Sequence, residues 1–150
     1  MKRTLLSIAL CTGLLAVGAQ AQAQQVSQPT LPIVPLSAGI YVIQAEFAST
    51  PKQQQIGLMG RTGLPANGGM LFDFGQASLH CMWMRNTLIP LSVAFIDEQG
   101  VIANIEDMAP KTEDSHCAAR PARYALEMSQ GWFAKRGIKA GATVSGLKKP

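Results

Sequence analysis

The sequence predicts a mainly β domain, a sandwich or a small barrel carrying two short helices. Three observations lead there. Runs of four to eight apolar, β-branched and aromatic residues recur through residues 40–147, bounded by Gly, Pro, Asn and Asp. Several of these runs alternate apolar with polar, the period of a strand. Helical patterning is confined to two stretches of one or two turns, each with start and stop signals at its ends.

The first element precedes the fold. Lys2 and Arg3 are followed by an apolar run of 13 residues at 5–17, then by small residues. Such a run is shorter than the roughly 20 residues a membrane span needs. Ala19-Gln20-Ala21 or Ala21-Gln22-Ala23 would serve as the cleavage triplet, so residues 1–23 are predicted to be a secretory signal peptide. Cys11 has Leu10 rather than a small residue before it, which argues against lipid modification. The expected destination is the periplasm or the exterior, with no integral span after cleavage. The whole chain of 150 residues carries a net charge of +4. Cleavage takes Lys2 and Arg3 with it, so 13 basic residues become 11 against 9 acidic, a net +2. That balance gives no reason to expect a nucleic-acid partner. A monomer is expected.

Residues 24–38 are rich in Gln and Pro and are predicted to be a flexible leader, because Pro29, Pro32 and Pro35 fix φ and remove donors. The folded domain, 39–150, is expected to open with the strand IYVIQAEF at 40–47. Thr50, Pro51 and Gln53 then form a helix start with a capping box, and Gly60 offers its stop. Asn67-Gly68-Gly69 is a turn, and MLFDF at 70–74 alternates, with Met70, Phe72 and Phe74 on one face. Two apolar runs flanking Asp97-Glu98-Gln99-Gly100 predict a hairpin. RYALEMS at 123–129 is another strand. Ser129 would cap a second short helix ending at Gly137, and ATVSGL at 142–147 closes the fold.

Four blocks carry a resemblance: GLMGRTGLP…GGMLFDF, WMRNTLIPLSVAFID, IEDMAP and ARYALEMSQGW. In their order and spacing they resemble the domain of unknown function 192 family over roughly residues 42–147. The resemblance implies a β fold of jelly-roll type, often exported, and hands over no catalytic residues. The family commonly has an aromatic where this chain has Met82, which weakens a ligand role for that methionine.

The densest chemistry lies in HCMWMRNT, residues 80–87. Taken as a strand, it puts His80, Met82, Met84 and Asn86 on one face and Cys81, Trp83 and Arg85 on the other. His80 with two thioethers would suit Cu(I). Methionines packing a core explain the same residues, so no metal or other cofactor is expected. Cys81 and Cys117 remain after export, an even count that favours a disulfide. A zinc site with His80 and His116 is the weaker option, because adjacent strand side chains point oppositely. A bridge would direct Trp83 beneath the 108–122 loop and place Arg85 near an acid.

Arg61, Trp83, Arg85, Asn86 and Glu127 are the candidate ligand-binding residues. Glu127 lies inside the apolar run YALEM. It either faces water or is buried; if buried, it needs a cation from Arg61, Arg85 or Arg123, or its pKa rises. Trp83 beside amide and carboxyl groups suits a small molecule, such as a sugar or peptide, or a cell-envelope component. A hydrolase would need a second carboxylate opposite Glu127, and GxSxG, HExxH and P-loop motifs are absent from the sequence. A binding module is therefore the favoured expectation; a carbohydrate-active or other hydrolase using Glu127 and a periplasmic copper protein are the alternatives.

Overall fold

Seven of the nine strands join one mixed sheet that curls on itself in the computed structural model, which describes residues 26–147. Residues 1–23, expected from the sequence to be a signal peptide, lie outside the described residues. The elements are β1 (Ile33–Ala38), β2 (Tyr41–Ala48), α1 (Pro51–Ile56), β3 (Gly68–Ser78), β4 (Cys81–Met82), β5 (Leu91–Ile96), β6 (Ile102–Met108), β7 (His116–Cys117), β8 (Ala122–Ser129) and β9 (Val144–Ser145). A 3₁₀ turn at Ala134–Arg136 precedes β9. The sheet order is β6-β5-β8-β3-β2-β1-β9, and β4 pairs with β7 as a separate two-stranded clip. Neighbours are antiparallel except β2 and β3, which α1 connects in parallel. The outer edges meet where Val101 bridges Thr143, so the sheet is barrel-like rather than two stacked layers. Of the two expected architectures, this is the barrel.

Both faces of the sheet are covered. Inside the curl lie Ile43, Leu71, Ile96, Tyr124, Leu126, Trp132 and Phe133. On the opposite face Met70, Phe72, Met84, Leu91, Val93, Phe95 and Ala125 form a second apolar cluster with Leu58, Met108 and Ala118. The second cluster is what positions the candidate site.

The Gln/Pro-rich segment is not a free leader. Residues 33–38 form β1, with Leu36 and Ala38 buried. Pro35 is compatible because it faces Gln44, whose own N–H turns away to the Asn67 carbonyl at 2.9 Å. That makes a non-hydrogen-bonded pair, where a missing N–H costs the ladder nothing. Gln28 Nε2 also donates to the Gln53 and Gly57 carbonyls at 3.0 and 2.9 Å.

The first helix starts as its sequence dictates. Gln53 N–H donates to Thr50 Oγ1, and Gln53 Oε1 accepts from Thr50 N–H. It stops earlier than expected, at Gly57 (φ 49°) instead of Gly60. Thr50→Ala should lower stability by about 1 kcal/mol, read as a shift in urea midpoint without a change in slope. The second helix also differs: Ser129 ends β8, and the 3₁₀ turn begins after Phe133 without a side-chain cap. The hairpin turn is as expected, with Asp97 Oδ1 accepting from Gln99 and Val101 N–H.

Candidate functional site

Cys81 and Cys117 face each other across β4 and β7, bonded, with Cα atoms 4.0 Å apart. The regular strand ends at Met82. Beyond it Met84 N–H donates to the Thr112 carbonyl, Thr87 N–H to the Met84 carbonyl, and Asn86 takes a left-handed φ of 56°. The alternation read over 80–86 therefore fails after two residues, although Met84 does reach the core. His80 stacks on Phe74 at 4.0 Å between ring centres, and Phe74 and Met82 pack against the cluster that buries Met84, so the two methionines serve the core.

Trp83 is not covered by the following loop. It is 42 % exposed and lies at the rim of a small pocket. The other walls are Gln54, Gln55, Leu58 and Met59 from α1 and its exit, with Met82 and Thr87 beside the tryptophan. Ile56, Gly57, Phe72 and Glu127 complete the lining. The cavity of about 20 Å³ accommodates one water-sized group. Arg85 stacks against Trp83 at 5.7 Å and approaches Glu113 at 3.7 Å, both charges being exposed.

Glu127 is buried, with 3 % of its surface exposed. Each cation expected to neutralise it is held by another acid. Arg61 pairs with Glu46 at 2.8 Å, Arg123 takes Asp73 in a two-pronged contact at 3.0 and 3.2 Å, and Arg85 sits by Glu113. Among the described residues no hydrogen bond or ion pair reaches the Glu127 carboxyl. Burial therefore pushes its pKa up to about 8, so the group is mainly neutral at pH 7.

The sheet register explains this isolation. Reading across the strands on one face, Glu46 of β2 faces Met70 of β3, which faces Glu127 of β8, then Val93 of β5 and Glu106 of β6. Three glutamates thus occupy one row, each separated from the next by a single apolar residue, about 10 Å apart at the usual strand spacing. The outer two have partners: Arg61 for Glu46, and the His116 imidazole for Glu106 at 2.9 Å. The middle one opens on the pocket. Sequence reasoning missed Glu46, and it left Glu106 among six acids that it could not place near Glu127; a register alignment of 40–47, 70–74, 91–96, 102–108 and 123–129 would have placed both.

Of the five sequence candidates, Trp83 and Glu127 share the pocket. Arg61 serves Glu46 and Arg85 the surface. Asn86 contributes its carbonyl, which accepts from Gly60 N–H at 3.0 Å and ties the 57–60 turn to the 83–87 segment. Among the described residues no group of three or more His, Cys, Asp or Glu side chains is placed to hold a metal, and no helix is long and apolar enough to cross a membrane.

A curled β domain with a recessed, unpaired carboxyl beneath a tryptophan-rimmed pocket is the class of protein that fold and site define. The chain belongs to the domain of unknown function 192 family, described as "Uncharacterized ACR", whose model matches residues 34–146. It is similar to a protein of unknown function from Novosphingobium aromaticivorans DSM 12444, with 35 % identity and a TM-score of 0.75 over 89 % of this chain and 99 % of that one. It is also similar to a candidate transcription regulator from Sinorhizobium meliloti 1021, with 32 % identity and a TM-score of 0.73 over 80 % of this chain and 98 % of that one. Comparison with curated proteins gives no match.

Proposed function

We propose that the chain is an exported domain that binds a small polar molecule in the pocket above Glu127. The observation that carries this reading is the buried carboxyl without a protein partner, opening on a cavity rimmed by an aromatic ring. The other two glutamates of the row, Glu46 and Glu106, each meet a side chain of this chain, and a recessed carboxyl that meets none is suited to meeting something else. Export rests on the charged, apolar and small-residue pattern of residues 1–23.

Two-carboxylate hydrolysis fits less well. Among the described residues lining the pocket, Glu127 is the one acid, and no second carboxylate faces it across the cleft. The test is a thermal-shift screen of sugars, amino acids, amines and short peptides against the wild type, Glu127→Gln and Trp83→Ala. A ligand should raise the wild-type melting temperature and lose most of that effect in both variants. Stabilisation that survives both substitutions would move the binding site elsewhere on the domain.

A further inference from the structure

We infer that the pocket takes a small primary amine, whose ammonium head pairs with the Glu127 carboxylate while its apolar tail leaves past Met82 and Trp83. This deepens the binding reading above and rests on it.

The glutamate row makes the case. Its outer members each face a basic side chain of this chain, Arg61 or His116. The middle member has none, and the remaining cations considered for it, Arg85 and Arg123, are engaged by Glu113 and Asp73. A positive group from outside would complete the pattern. The pocket has the matching shape. Its space of about 20 Å³ suits a group the size of water, such as an ammonium head. Leu58, Met59, Phe72 and Met82 offer an apolar surround for an alkyl tail. Trp83 adds a ring face attractive to a cation, and Arg85 already lies against that ring at 5.7 Å. The positive charge of Arg85 is offset at the rim by Glu113.

An anion is the wrong ligand for the same reasons, since no basic side chain lines the pocket. Nor does any other titratable group face Glu127 there. Met70 and Phe72 come from β3, and Val93 and Leu91 from β5. Gln54, Gln55, Leu58 and Met59 come from α1 and its exit, and Met82, Trp83 and Thr87 from β4 and the segment after it. Binding therefore carries a proton signature. The free carboxyl is mainly protonated at pH 7, and the bound one is ionised against the ammonium. One proton passes from Glu127 to the buffer, and the amine keeps its own.

Isothermal titration of the full chain at pH 7 tests this, with n-butylammonium chloride and the neutral isostere n-butanol as probes, each in phosphate and in HEPES, neither of which is a primary amine. Butylammonium should bind at least about tenfold more tightly than butanol, and its heat should differ between buffers by close to one proton's ionisation heat. Glu127→Gln, shown to be folded by its thermal melt, should abolish both the preference and the buffer dependence. Butanol binding as tightly as butylammonium, in a manner lost in Glu127→Gln, would overturn the amine assignment while leaving the small-molecule reading intact. Binding of neither probe, binding without proton release, or binding unchanged in Glu127→Gln also overturns it. The broader thermal-shift screen decides the parent reading separately.

Discussion

Glu127→Gln should remove a pH dependence that the wild-type domain carries between about pH 5 and pH 8. The folded carboxyl has its pKa raised to about 8 by burial, against an ordinary value of 4.5. Between those values the unfolded chain has lost this proton while the folded chain retains it, so the folded state binds more protons. Stability from this group is thus highest below pH 4.5 and declines as pH rises, by up to about 1.4 kcal/mol per pH unit. Above pH 8 both states are ionised and the loss levels off, at roughly 4–5 kcal/mol in total. Glutamine keeps the shape and carries no titratable proton. Urea unfolding at pH 5, 6, 7 and 8 should show the wild type weakening across the series relative to Glu127→Gln, with the gap widest at pH 8. Parallel profiles for the two proteins would mean that the carboxyl is solvated.

Met84→Ala should cost about 2–5 kcal/mol. The side chain is fully buried in the second cluster with Phe72, Leu91 and Phe95. Its backbone is fixed as well, by Met84 N–H to the Thr112 carbonyl, so the surroundings have little freedom to collapse into the space left behind. Met82→Ala is the informative comparison, because Met82 is only partly buried at the edge of the same cluster and should cost clearly less. Chemical denaturation of both variants at one pH checks the order. Equal costs would show that the segment adjusts as a unit around the Cys81–Cys117 clip.

What the sequence made legible was local chemistry. Thr50 and Gln53 announce a helix start because the capping bonds lie within four residues, and Asp97 to Gly100 announce a hairpin for the same reason. The cysteine pairing followed from their number. Longer-range facts were hidden. The three prolines of the N-terminal segment suggested free chain, yet Pro35 sits at a register position where its absent N–H is not needed. Alternation failed twice. In β8 both sheet faces are covered, so apolar residues occupy every other position and the one between, and an acid there gives no sign of its burial. In residues 83–87 the chain leaves the strand, and Asn86 with its positive φ marks the departure. Glu127 and Trp83 were both singled out, and of the two outcomes open to a buried Glu127, a cation from Arg61, Arg85 or Arg123 or a raised pKa, the second holds, while Arg61 pairs with Glu46. The choice between Glu46 and Glu127 is made by strand register, which a linear reading does not contain.

The seam of the barrel sets a timetable for folding. Ser37 and Ala38 of β1 pair with Ser145 and Val144 of β9, and Val101 meets Thr143 beside them. The partners in β1 and β9 are roughly a hundred residues apart in sequence, the kind of contact that slows a small domain's folding. A chain emerging from its amino end can form the β1–β2 hairpin early, but the outer edge of β1 has no β9 partner until Val144 and Ser145 have emerged. Until then an unpaired strand edge is open to other chains. Closing the seam therefore waits for β9, and loss of its two residues would be felt more than a hundred positions away at Ser37 and Ala38.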